Sequence, residues 1–437
     1  MKKKELNLMM ALCFIHSLSF SSQTVPNIYK PALMAAQKTL KNQSVFIIPD
    51  ELEYIRKISL RPDIEDSFHT VNVCSLVDNM MLWKKHLPQV KIHYAIKTNH
   101  DPVISSVMST LGAGFDCASV AEMRQVLQLG VTPEKIIFSH PRKPITEIIF
   151  AEKNNIKKMV FDSIEELDKM RRYAPSGEYL LRIKTHDEHS ETPLSTKFGT
   201  NLENAYKILD YAFKNKAPIV GISFHVGSNN LDATAFKKAI IDASKLFEYS
   251  KNKWHHPLTV LDLGGGWPGN NNKRFIKFAD TVNRELALHF PKNLHVIAEP
   301  GRFFATQTTT ASLRVIGTER LETLQGPKFA YYLSDGVYGF FSASLYYQYD
   351  AHKIAMEGWS FHPLMPSKKH HNKKYPSIFW GPTCDSGDKI LDNILFPEMH
   401  LNDFIYSQNA GSYTYSGQTA FNQITPSKGY YVCTIHT

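Results

Sequence analysis

From about Lys91 the chain alternates two patterns, a short run of β-branched or aromatic residues and then a longer run whose apolar positions recur at helical spacing. Eight such units follow one another. Their strand runs are His93–Lys97, Gly114–Cys117, Lys135–Ser139, Lys158–Phe161, Tyr179–Ile183, Ile219–Val226, Thr259–Leu263 and His295–Glu299. Start signals support the helices between them. Ser119-Val-Ala-Glu122 and Ser163-Ile-Glu-Glu166 both fit a capping box, which satisfies orphan N–H groups of a first turn, and Gly130 closes the first of these helices. Parallel strands need crossover helices, and eight βα units in about two hundred residues predict a closed (β/α)8 barrel of the TIM type.

After Arg302 the pattern changes to Thr-, Tyr- and Phe-rich runs broken by Gly, Pro and Asn, without further long helical periods. A mostly β domain is predicted there, with its boundary near Thr306. The stretch Val45 to Val73 is expected to add a strand to it. The domain plan is therefore a leader at 1–23, an N-terminal segment at 24–85 contributing to the β domain, a barrel at 86–305 and the β domain at 306–437. Glu357 to Tyr375 is polar and irregular and reads as a mobile loop.

Composition narrows the class. With 437 residues, 43% hydrophobic and 21% charged, the chain is an ordinary globular protein rather than a disordered one. The net charge of +9 is scattered through periodic segments instead of forming a stripe, which argues against a nucleic-acid binder. The local run Lys368 to Lys374 reads as a solvated loop. Five cysteines (Cys13, Cys74, Cys117, Cys384, Cys433) lack CxxC pairs and metal-ligand spacing, so neither a disulfide framework nor a metal site is expected. The first residues combine a basic start, an apolar stretch from Leu8 to Phe20 and small residues after it, which together resemble a secretory signal peptide. Cleavage would remove Cys13 and predict a secreted or luminal protein carrying one glycosylation sequon, Asn42-Gln43-Ser44; an uncleaved extension would predict a cytoplasmic one. No later apolar stretch is long enough to span a bilayer, so no stable membrane insertion is expected.

Barrel chemistry comes from the C-terminal ends of strands. Polar residues gather there: Lys97, Asp116, Arg182, His225, Gly264-Gly265-Gly266 and Glu299. One such group would read as a satisfied core residue; six on one rim read as a site. A partly desolvated Lys97 amine is expected to be the neutral nucleophile that captures an aldehyde cofactor. The three glycines and Arg302 would admit and clamp a phosphate, while Glu299 would keep a pyridine nitrogen protonated. His225 would stack on the ring.

These residues stand in motifs that resemble the eukaryotic ornithine decarboxylases, within the fold-type III pyridoxal-phosphate decarboxylases and related to alanine racemases. The motifs are Tyr94-Ala-Ile-Lys97, Gly114-Phe-Asp-Cys-Ala-Ser119, Lys197-Phe-Gly199, Ser223-Phe-His-Val-Gly-Ser228, Leu261-Asp-Leu-Gly-Gly-Gly266, Ala298-Glu-Pro-Gly-Arg302, Asp335-Gly-Val-Tyr-Gly339 and Trp380-Gly-Pro-Thr-Cys-Asp385, collinear from about Phe46 to Cys433. The resemblance implies that Lys97 holds pyridoxal 5'-phosphate covalently, Glu299 pairs with its ring nitrogen and His225 covers its face. It places the phosphate around Ser228, Gly264, Gly265, Gly266, Gly301, Arg302 and Tyr413, with Asp116 and Arg182 completing the surroundings. It further implies a homodimer in which Cys384, as proton donor, and Asp385, as partner of the substrate's distal ammonium, come from the second subunit.

The family's second substrate carboxylate falls here in Ser344-Leu-Tyr-Tyr-Gln-Tyr-Asp350, where Tyr347 takes its place directly or Asp350 serves after a short insertion. Tyr338 and Tyr346 are the other expected substrate contacts. The reaction implied is decarboxylation of ornithine to putrescine. Lysine or arginine as substrate is the first alternative, and diaminopimelate is disfavoured by Asp385. A non-catalytic binder like the antizyme inhibitors is the second, with an antizyme-type regulator as partner.

Overall fold

The computed structural model describes residues 25–41, 43–345, 358–364 and 373–435. The leader 1–23, Asn42, most of the Lys368–Lys374 run, and the substrate candidates Tyr346, Tyr347 and Asp350 lie outside the described residues.

Eight parallel strands close into a barrel in the order Val260–Asp262, His295–Ala298, Val90–Ala95, Gly114–Cys117, Ile136–Phe138, Lys158–Phe161, Glu178–Ile183 and Ile219–Phe224. All eight predicted strand runs are present. The capping boxes form too, with Ser119 accepting from the Glu122 N–H and Ser163 from that of Glu166. Gly130 has φ +80°, the left-handed geometry a helix exit needs.

Strand alternation divides the side chains between two sides of the barrel wall. Phe115, Cys117, Phe138, Leu181, Leu261 and Ala298 pack outward in the large core shared with the helices. Ile137, Val160, Leu180, Val260 and Ile297 form a separate small cluster. That cluster is the apolar plug of the lumen. Two residues further along the same strands, the inward positions become Ser139, Asp162, Arg182, Asp262 and Glu299. Polar groups thus stand directly on an apolar floor, at the end of the barrel where the βα turns lie.

A second sheet runs in the order Phe46–Ile48, Lys428–Thr434, Phe68–Asn72, Thr309–Thr323, Gly326–Leu333, Lys374–Trp380 and Lys389–Pro397, with Phe404–Gln408 joining Thr309–Thr323 to Ser360–Leu364. The segment before the barrel supplies two of these strands. The chain passes from Phe68–Asn72 through helix Cys74–His86 into the barrel and leaves it for the long strand that starts at Thr309.

Two expectations are corrected. Part of the predicted mobile loop is strand, Ser360–Leu364 and the start of Lys374–Trp380, because Phe361 and Leu364 are buried against the sheet. And Cys74 and Cys433 form a disulfide bond, although their spacing of 359 residues gave no local signal.

Candidate active site

Lys97 lies just beyond its strand, in the turn Ile96–Thr98, rather than on it. A cavity of about 290 Å³ opens over that turn, and Ala95, Lys97, His225, Ser228, Gly265, Gly266, Glu299, Arg302 and Tyr413 contribute to its lining. Residues predicted from separate segments therefore meet in one hollow. At one side the Arg302 Nε donates to Ser228 Oγ at 2.9 Å, and its guanidinium lies 4.6 Å from the centre of the Tyr413 ring. Tyr413 is held by its own N–H, which donates to the Thr98 carbonyl at 2.9 Å. This is the cationic, donor-rich end of the site, suited to a phosphate.

The glycines act differently from one another. Gly264 has φ +59°, and a Cβ there would lie 2.0 Å from the Phe224 carbonyl oxygen, so the turn admits no side chain. Its N–H donates to Asp262 at 2.9 Å, which makes Gly264 a former of the turn rather than a wall of the cavity. Gly265 does line the cavity, and a Cβ on it would press to 2.5 Å from His225 Nε2. Gly301 leaves no room for a Cβ either, since one would meet Thr98 Oγ1 at 1.9 Å.

Electrostatics set the protonation states. Lys97 hydrogen-bonds to Asp116, which is wholly buried and also accepts from Ser139. Burial depresses the Lys97 amine, but the carboxylates of Asp116 and Glu299 outweigh it and hold the group above the ordinary lysine value. This direction runs against the neutral amine expected from desolvation alone, because the acidic neighbours favour the protonated form. His225 is pushed well below the usual imidazole value by burial, with Arg182 and Lys97 adding to the effect. Its Nδ1 accepts from the Gly227 N–H at 3.1 Å, which leaves the neutral ring's proton on Nε2.

Glu299 is buried, and burial together with Asp262 and Asp116 raises its carboxyl far above the normal range. It shares a hydrogen bond with Asp262, itself pushed up to about 6 by burial. One oxygen, Oε1, is buried without a partner. An unpaired buried acceptor facing an amine-bearing cavity fits a ligand that brings its own N–H, such as a protonated pyridine nitrogen. The phosphate end and the lysine complete the fit to pyridoxal phosphate.

Asp262, Ser223, Ser139 and Asp162 were not singled out in the sequence. Ser139, Asp162 and Asp262 each stand two positions beyond a lumen residue, a relationship that becomes visible only once the barrel is closed. Asp262 accepts from Ser223 at 2.8 Å, and Asp162 pairs with Arg142 at 3.1 Å and caps Gly199.

Other predicted residues lie elsewhere. Asp116 and Arg182 sit in the barrel wall beside the cavity rather than in its lining, with Arg182 over the Phe198 ring at 5.4 Å and its guanidinium lowered by burial. Tyr338 and the Pro382-Thr383 turn line a separate hollow of about 390 Å³ in the β domain. There the Tyr338 hydroxyl donates to Asp385, which holds that carboxyl below its usual value, and Cys384 is exposed. Cys384 and Asp385 do not reach the Lys97 cavity of their own chain.

The domain family described as "Pyridoxal-dependent decarboxylase, pyridoxal binding domain" matches residues 73–306. The chain is 35% identical to the probable ornithine decarboxylase of Dictyostelium discoideum over 379 residues, 84% of this chain and 79% of that protein. It is 34% identical to antizyme inhibitor 2 of Xenopus laevis over 392 residues, 87% and 83% of the two. Among solved structures, the arginine decarboxylase of Paramecium bursaria Chlorella virus superposes with a TM-score of 0.81 at 30% identity, covering 87% of this chain and all of that one.

Proposed function

This chain belongs to the pyridoxal-dependent decarboxylases acting on basic amino acids, and we propose that its reaction is the conversion of L-ornithine to putrescine and CO2. The observation that carries the reading is the pairing, in one cavity, of the Lys97 amine with the unpartnered Oε1 of Glu299 beside the Arg302–Ser228 anion end.

Pyridoxal phosphate, when bound, supplies an aldehyde that an amine can capture and a ring that takes up the electron pair left when CO2 departs. Lys97 is the amine in position for that capture. Held as an ammonium by its partners, it would have to give up a proton before it could act as that nucleophile. Glu299 would accept the N–H of a protonated pyridine nitrogen and serve as its counter-ion, with Asp262 behind it. His225 would cover the ring without adding charge, because its imidazole is neutral. Ser228, Gly265, Gly266, Arg302 and Tyr413 would hold the phosphate.

The substrate's far end would be read by a second copy of the chain. Asp385, kept as a carboxylate by Tyr338, is suited to a distal ammonium, and the thiol of Cys384 would return a proton to the substrate Cα. Supporting this homodimer is the separation of both residues from their own chain's cavity, which needs such groups to be complete.

Release of CO2 from ornithine, lysine and arginine, measured side by side on cofactor-loaded protein, tests the substrate. Preference for ornithine is expected; turnover of none of the three would overturn the reading. The likeness to antizyme inhibitor 2 supports a second reading, a non-catalytic protein that captures a regulatory partner. Lys97, Asp116, Cys384 and Asp385 are all retained against it. A purified protein that stays colourless after incubation with pyridoxal phosphate would favour the binder.

A further inference from the structure

Cys74 begins the helix that leads from the β domain into the barrel, and Cys433 lies on the last strand of the chain. The two are bonded, and neither residue has exposed surface. The seam around them is already knit. Val73 N–H donates to the Val432 carbonyl at 2.9 Å, and the Asn72 side chain bonds Thr434 at 3.0 Å while accepting from the Cys74 N–H at 3.2 Å. From the same strand as Cys433, the Tyr431 hydroxyl donates to Asp101 at 2.9 Å. Asp101 caps the helix that follows the Lys97 turn. The bond therefore ties the entry to the barrel to the C-terminal strand, and through Tyr431 and Asp101 that strand is linked to the segment just after the Lys97 turn.

A buried bond of this kind is poorly suited to be a switch, because a reductant reaches it only after the domains part. It suits a permanent clamp, which forms where thiols are oxidised and is rare in the reducing cytosol. The sequence carries a second, separate feature in keeping with that environment: a basic start and an apolar Leu8–Phe20 stretch that resemble a secretory leader. We infer that Cys74 and Cys433 are a built-in oxidation site, and that this decarboxylase matures in an oxidising, export-linked compartment that sets the clamp. In the reaction each thiol loses a proton and an electron as the S–S bond forms. A disulfide-carrying oxidant, protein or small molecule, takes up both pairs and becomes two thiols. Cys117 and Cys384 are left unbonded, the first buried and the second exposed.

The clamp does not depend on the identity of the substrate, and its test reads no activity. The full chain is expressed from Met1 in a host with an export pathway, and a version lacking residues 2–20 is expressed in the cytosol. Free thiols are alkylated under denaturing conditions and both proteins are digested without reductant. The exported protein is expected to have lost its leader and to give a Cys74–Cys433 cross-linked peptide pair, whereas the cytosolic one gives the two peptides separately alkylated. An unprocessed chain that stays in the cytosol, or a processed one with both cysteines alkylated, overturns the inference. As a second measurement, exported Cys74→Ala/Cys433→Ala is expected to melt about 5 °C lower than the parent while binding pyridoxal phosphate with the same absorbance. Equal melting temperatures would overturn the clamp.

Discussion

Lys97 reaches from its turn to the carboxylate of Asp116 on the neighbouring strand, where Ala95 and Asp116 are in register. The contact makes the lysine a cation against the pull of burial, so capture of an aldehyde has to wait for a deprotonated fraction. Asp116→Asn removes the nearest of the charges that raise the amine while keeping an acceptor for Ser139. The pH midpoint for covalent uptake of pyridoxal phosphate should then fall by about 1–3 units, followed as the growth of visible absorbance in stopped-flow mixing across pH. An unchanged midpoint would show that Asp116 does not govern the amine.

Asp262 and Glu299 give a dependence of the opposite origin. Burial raises both carboxyls; Asp262 adds to the rise at Glu299, while the hydrogen bond from Glu299 only partly opposes it at Asp262, so the folded protein binds these protons more tightly than the unfolded chain. Their contribution to stability is fully present below the ordinary carboxyl range and is lost as pH rises through about 6 for Asp262 and beyond that for Glu299. Over that window the cofactor-free protein should lose on the order of 2 kcal/mol, and Asp262→Asn should flatten the loss. Added pyridoxal phosphate should raise the melting temperature more at the alkaline end, because its ring N–H offers Glu299 a positive partner. Calorimetry at several pH values, with and without cofactor, checks both; an equal cofactor effect throughout would count against Glu299 as the ring-nitrogen partner.

Much of this was legible before the structure because two signals coincided. Each barrel strand is a compact β-branched or aromatic run followed by a helix, several with their own start signals, so all eight could be found. The site was legible because barrel chemistry sits at strand ends. The remaining features depend on contacts made across the fold. Asp262 reads as part of an ordinary turn until Val260 is known to face the lumen. The clamp joins residues brought together only by the parallel pairing of Phe68–Asn72 with Lys428–Thr434. Strand Ser360–Leu364 hides behind His362-Pro363, which breaks the apolar alternation. The charge on Lys97 depends on neighbours supplied by two other strands.

Gly264 and Gly265 should fail in different ways although they are adjacent. Gly264→Ala demands a left-handed backbone and meets a carbonyl at 2.0 Å, so the strand end must move, with a loss of about 1–3 kcal/mol of stability. Gly265→Ala has ordinary backbone geometry, and its methyl meets only the His225 ring at 2.5 Å and the Glu299 carbonyl at 3.1 Å. That variant should melt like the parent without cofactor but bind pyridoxal phosphate at least about tenfold more weakly, the equivalent of about 1.4 kcal/mol. Thermal melts and equilibrium titration separate the two cases. Loss of folding in the second, with normal affinity in the first, would reverse the roles given to these glycines.

The proposed sharing of sites between two copies can be read from mixtures. Lys97→Ala lacks the amine, and Asp385→Ala lacks the distal carboxylate, whose charge-assisted hydrogen bond of about 1.5–3 kcal/mol corresponds to roughly 10–100-fold in kcat/KM for ornithine. Each variant alone should be inactive or nearly so at low substrate. If one copy supplies Lys97 and the other Asp385, a mixed dimer concentrates both lesions in one site and leaves the second intact. Random reassortment of equal amounts should therefore restore about a quarter of the parent activity. If each site were built from a single chain, every site in the mixture would carry one lesion or the other and no activity would return. The Lys97 cavity lacks Asp385 from its own chain, which makes recovery the expected result.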